Sequence, residues 1–185
     1  MYNESQELLK TYDYENGLII SKTLDNLNNN KNVFVGYLSG TLNSTGYANV
    51  AVGHQTMKAN TTGLNNTAVG FGSQGNAANG QGNTSIGFWS LANNSTGNYN
   101  TALGLNAMQN SVSASFNIAV GVQALYNITN ATNNTALGNF AMSASTSGSS
   151  NVAIGSNTMN GNTTGAANVA VGREALYNNT TNSNN

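Results

Sequence analysis

The chain has 185 residues, a length for one domain or two, but only 6% of them are charged and none is proline or cysteine. A net charge of −1 supplies no basic footprint for nucleic acid or anionic lipid, and the lack of cysteine removes disulfide and thiol chemistry. No stretch approaches the ~20 apolar residues that span a bilayer, so membrane insertion is not expected.

Eight of the eleven Lys, Arg, Asp and Glu residues lie in the first 31 positions, which marks residues 1–31 as a separate element. Its start, Met-Tyr-Asn-Glu-Ser-Gln-Glu, has neither a positive n-region nor an apolar h-region and does not read as a signal peptide. A protein made and assembled inside a cell, then released on a particle, is the expectation. Ser5 is placed to cap a short helix over Gln6 to Tyr12, with Leu8 and Leu9 apolar. Gly17-Leu18-Ile19-Ile20 reads as a short strand and Asn26 to Asn30 as a loop. Solenoid ends expose unpaired strand edges, so residues 1–31 are expected to be a cap or attachment segment.

From residue 32 the sequence becomes periodic. A five-residue unit, Asn-x-Ala-aliphatic-Gly, begins at Asn32, Asn49, Asn66, Asn83, Asn100, Asn117, Asn134, Asn151 and Asn168, always 17 residues apart. Its glycines keep the step: Gly36, Gly53, Gly70, Gly87, Gly104, Gly121, Gly138, Gly155 and Gly172. With the Asn as position 1, position 3 is small except at Phe34, position 4 is always Val, Ile or Leu, and position 5 is always Gly. Position 8 is Ala, Ser or Thr. Position 9 is Leu or Met in seven coils, with Gly40 and Gln74 the exceptions, and position 15 is Gly in six.

Strict short-period self-similarity implies a solenoid, and 17 residues suit one coil of two or three short strands. The expected fold is all-β: a parallel β-solenoid, or β-roll, of nine coils over residues 32–185. Stacked at ~4.8 Å, nine coils make a rod roughly 43 Å long. Large side chains at positions 4 and 9 are expected to point inward, and the glycines at 5 and 15 to supply positive φ at corners. A helical array is excluded, because Gly and Asn at this density would cost each helix several kcal/mol. The Asn column is read as a structural amide ladder rather than a ligand array. Two sizeable apolar side chains per coil make a thin core, and sharing surface with further copies of the chain in a homotrimer is the natural remedy.

Little chemistry is available. His54 is the single histidine, no Asp follows Asp25, and Glu174 is the only Glu in the repeats. Paired carboxylates, an Asp in every repeat for calcium and zinc-ligand spacing are all missing, so no enzyme, metal or cofactor is expected. Position 6 runs Tyr37, His54, Phe71, Phe88, Leu105, Val122 and then turns polar, with Trp89 and Phe140 beside it at position 7. Tyr37, Phe71, Phe88 and Trp89 are candidates for stacking on sugar rings; the alternative is a strip buried against neighbouring chains or the N-terminal segment. Thr/Ser pairs at positions 13 and 14, such as Thr61-Thr62 and Thr163-Thr164, are read as a turn column.

Repeats such as Asn151-Val-Ala-Ile-Gly155 and Asn100-Thr-Ala-Leu-Gly104 resemble the head repeats of YadA-like trimeric autotransporter adhesins. The longer unit Asn168-Val-Ala-Val-Gly-Arg-Glu-Ala-Leu-Tyr-Asn-Asn-Thr-Thr181 is similar to repeats of phage and algal-virus fibres. The resemblance implies a trimeric β-roll with a structural or adhesive role. The first expectation is the shaft or head of a virus or phage fibre, on a virion surface or outside the cell, with host surface glycans as candidate ligands. The alternatives are a bacterial surface adhesin head and a self-polymerising filament subunit joined end to end.

Overall fold

Residues 10–13, 18–21 and 31–185 are described by a computed structural model, all-β and without a helix among the described residues. Nine three-residue strands, from β3 (Val33–Val35) to β11 (Val169–Val171), pair in parallel in sequence order, one per 17-residue coil. Register is set by the repeat itself: Ala102 faces Ala119, and Val152 faces Val169. The result is a parallel β-solenoid. Two further strands, β1 (Lys10–Asp13) and β2 (Leu18–Ser21), pair antiparallel with each other, and β2 pairs antiparallel with β3.

Four expectations are corrected. The helix expected to run to Tyr12 is instead strand over Lys10–Tyr12, while Ser5, the residues to Leu9 and the Asn26–Asn30 loop lie outside the described residues. The first solenoid strand offers a row of unpaired backbone groups, and pairing along that edge overrides the weak helix preference of a seven-residue segment.

Each coil holds one strand rather than two or three, and position 4 points outward. Strand side chains alternate, so only one of positions 3 and 4 can enter the core. The small residue does: Ala51, Ala102, Ala119, Ala136 and Ala153 are all buried, while Ile86 and Leu103 are exposed. The position-9 side chains pack against these alanines, and the one large residue at position 3, Phe34, is buried where Gly40 leaves position 9 empty. Position 9 fills the interior, and Met57, Leu91, Met108, Leu125, Met142 and Met159 are fully buried. These residues are not in strands. Their φ values lie between 47° and 52°, in the left-handed region. Positions 7 and 17 adopt it as well, and among the described residues none of the 24 non-glycine residues with positive φ is Val, Ile or Thr. A β-branched side chain clashes with its own backbone there. Position 9 is therefore Leu or Met and never Val or Ile.

Glycine at position 5 does meet a positive φ, between 119° and 143°, and it also sits under the next coil. An added Cβ on Gly70 would lie 2.6 Å from the carbonyl oxygen of Gly87. Position 15 differs from expectation, because Gly46, Gly63 and Gly97 do not have positive φ. Their constraint is space. A Cβ on Gly97 would overlap Oδ1 of Asn94 at position 12, whose Nδ2 donates to the Gly97 carbonyl at 2.8 Å. Where position 12 is Ser111 or Ile128, position 15 is Ala114 or Ala131.

The other exceptions to the repeat are paired too. Phe34, large at position 3, occupies the space beside Gly40, which has no side chain at position 9. Gln74, polar at position 9, donates from Nε2 to Oγ of Ser85 at 2.9 Å, and Ser85 stands where other coils have Ala. Putting the usual leucine at Gly40 is expected to overpack against Phe34 and cost about 1–3 kcal/mol. The double variant Gly40→Leu/Phe34→Ala should recover most of that loss. A double-mutant cycle by chemical denaturation measures the coupling, and additive losses would show that the pair is not compensatory.

Candidate functional site: the outer face of the sheet

The site is held in place by the position-1 column. Asn32, Asn49, Asn66, Asn83, Asn100, Asn117, Asn134, Asn151 and Asn168 are all buried. Each donates Nδ2 to the carbonyl at position 15 of its own coil, as Asn100 does to Ala114 at 2.7 Å and Asn134 to Gly148 at 2.9 Å. Each Oδ1 accepts the backbone N–H of the next Asn, as Asn100 Oδ1 does from Asn117 at 3.0 Å. From Asn100 onward Nδ2 also reaches back to the previous Oδ1, at 3.1 Å between Asn117 and Asn100. An amide with two donors and two acceptor sites is saturated by this set. The ladder therefore locks the start of every strand over the one before it.

With position 3 turned in, positions 2 and 4 turn out. Position 4 makes an unbroken aliphatic column, exposed at Val52, Ile86, Leu103, Ile154 and Val171. Position 2 adds Val50, Ile118 and Val169 among threonines. After the glycine corner, position 6 brings Tyr37, His54, Phe71 and Phe88 into one stack. Successive ring centroids are 5.2, 4.9 and 5.2 Å apart, and the His54 and Phe71 planes differ by 6°. Trp89 stands edge-on to Phe71 and Phe88. Its own ring lies over Gly72, where an added Cβ would stand 3.0 Å from it.

The four candidate residues Tyr37, Phe71, Phe88 and Trp89 are thus brought together, with His54 as a fifth ring. Because the column runs along the stacking direction of the coils, the inner rings cover one another's faces and present their edges outward. Phe140 lies farther along the rod and belongs to no stack. A second stack is made by Tyr99 and Phe116 at position 17, with centroids 5.3 Å apart and both rings exposed. The candidate set omits it, although two aromatics 17 residues apart are visible in the repeat.

Charge is nearly absent from this surface. Between residues 32 and 172 only Lys58 is charged, and it sits at position 10, away from the sheet. Arg173 and Glu174 form an exposed ion pair at 2.9 Å, worth little in water. Among the described residues no group of three His, Cys, Asp or Glu side chains comes together. The hydroxyls at position 13 are engaged in the turns: Ser44 Oγ donates to the Thr61 carbonyl at 2.9 Å and Thr163 Oγ1 to that of Thr180 at 3.0 Å.

Replacing Asn100 with the isosteric Asp keeps the shape and removes the donors to Ala114 and Asn83. An expected loss of about 3 kcal/mol follows from one unpaired buried carbonyl and one buried charge. Asn178→Asp, at an exposed site, should change stability by no more than about 0.5 kcal/mol. Unfolding curves for the two variants decide the matter; equal losses would remove the ladder from its role.

Comparison of the chain with protein-family models, with curated proteins and with solved structures gives no match.

Proposed function

We propose that the chain is a non-enzymatic structural element of a fibre, a β-roll that assembles side by side with two further copies into a homotrimeric shaft or head of a virus or phage fibre. The observation that carries this is the outward aliphatic column at position 4. Isolated exposed apolar residues need no explanation, but a contiguous apolar face marks an interaction surface. The partner best matched to it is another copy of the chain, since only a surface with the same coil spacing can meet the column at every level.

Core size supports the same conclusion. Most coils bury a single large apolar side chain, worth ~1.5–3 kcal/mol, for 17 residues ordered. Covering positions 2 and 4 against other copies would roughly double the apolar surface that each coil removes from water. Residues 1–31 belong to this proposal as a cap or attachment segment, with β2 hydrogen-bonded along the first solenoid strand. Glycan recognition is left out of it for the inner rings of the aromatic column, because a sugar packs on a ring face and those faces are taken.

Light scattering behind a sizing column tests the assembly. The expected mass is three times 19.1 kDa, and the double variant Ile86→Asp/Leu103→Asp should run at 19.1 kDa with its β-sheet circular dichroism spectrum retained. Wild-type protein running as a 19.1 kDa monomer would overturn the proposal.

A further inference from the structure

The outer face has two edges, position 6 at the glycine corner and position 17 just before the Asn ladder. Resting on the side-by-side assembly proposed above, we infer that these edges recognise each other between copies. The position-6 edge of one chain packs against the position-17 edge of the next, with the chains parallel and without axial offset.

The evidence is a level-by-level match between the two edges. In coils two to four position 6 is bulky (His54, Phe71, Phe88), and the position-17 residue that immediately precedes each of these coils, and so lies at the level of its strand, is small or short: Ala48, Asn65 and Gly82. In coils five and six the order reverses. The exposed rings of Tyr99 and Phe116 stand at the levels where position 6 is aliphatic, Leu105 and Val122. In coils seven and eight both edges turn polar together, Asn133 with Asn139 and Ser150 with Ser156. At the two ends Lys31 shares a level with Tyr37, and Ala167 with Arg173.

No contact within one chain joins the two edges, although the Tyr99 ring lies over Gly82 and by itself accounts for the glycine at that place. The two edges stand at opposite ends of the strand, with the whole Asn-x-Ala-aliphatic-Gly unit between them, and each aromatic stack is made only of rings on its own edge. A shift of one coil spoils the match in either direction. It sets Phe116 against Asn139 one way and Asn133 against Val122 the other. Only the unshifted arrangement keeps apolar against apolar and polar against polar from coil five to coil eight. Joining two different edges is a heterologous contact, and a heterologous contact repeated by rotation closes into a ring.

The chain has no cysteine, so engineered pairs report without background. Tyr99→Cys/Leu105→Cys, treated with a short bismaleimide, should move most of the protein on a denaturing gel to three chain masses, with no larger species. Phe116→Cys/Val122→Cys should do the same one coil on. Both pairs replace side chains that are exposed or half-exposed, which leaves the fold intact. The offset pair Tyr99→Cys/Asn139→Cys and Leu105→Cys alone should stay at one chain mass. A light-scattering trimer in which the offset pair or the single variant cross-links as well as the matched pairs would overturn the edge pairing and leave the assembly standing. A monomer by light scattering with no cross-link in any variant would overturn both.

Discussion

The buried asparagine ladder is the interaction on which the rest depends. Seventeen residues contain a single three-residue strand, and the remaining backbone turns through left-handed conformations that large side chains adopt at a cost of about 1 kcal/mol each. Such a coil has no means of holding its own shape. At position 1 one side chain ties the coil to itself through the carbonyl at position 15 and to its neighbour through the next Asn N–H. Those bonds are buried, where an unmade partner is expensive. The turn backbone adds to them coil by coil, as where Met108 N–H donates to the Ala124 carbonyl at 3.0 Å. Each coil is thus shaped by the one beside it, in the way expected of a quasi-one-dimensional repeat.

This arrangement restricts the interior more tightly than hydrophobicity would. Alanine lines the sheet side because the position-9 side chains already fill the interior, and leucine or methionine crosses from the turn side because its left-handed φ rejects a branched Cβ. Several departures come in pairs. Phe34 stands beside Gly40, Gln74 is bonded to Ser85, and an alanine at position 15 occurs where position 12 has lost its asparagine. The same confinement sends the aliphatic residue of position 4 outward, and the sheet carries an aliphatic column on its outside. A fibre built from several copies gives that surface a place to be buried.

The period, the parallel stacking, the one-per-coil register and the identity of the ladder residues could be read from the sequence. All of them follow from exact repetition: when every seventeenth residue is alike, chain equivalents must stack, and an invariant Asn beside an invariant Gly marks a corner. The aromatic column at position 6 was legible for the same reason. Its ring orientation was not, because stacking along the rod depends on the distance between coils and not on the order of residues. Tyr99 and Phe116 were equally visible as a pair. Their importance appears only when position 17 is placed at the edge of the outer face.

Position 4 shows most directly what tertiary structure decided. An invariant aliphatic residue beside an invariant small one reads as core beside filler, and hydrophobicity alone ranks them in that order. Alternation along a strand allows one of the two inside, and the position-9 side chains that fill the interior select the alanine. The N-terminal segment is the complementary case. A helix over Gln6 to Tyr12 was a reasonable local choice, yet an open strand edge offers backbone partners that no seven-residue helix can match. Sequence by itself determined what repeats and how often, because periodicity is a property of the chain. Which side of each repeat faces inward was decided only in the stack, because the room left beside the position-9 side chains exists only once the coil is closed.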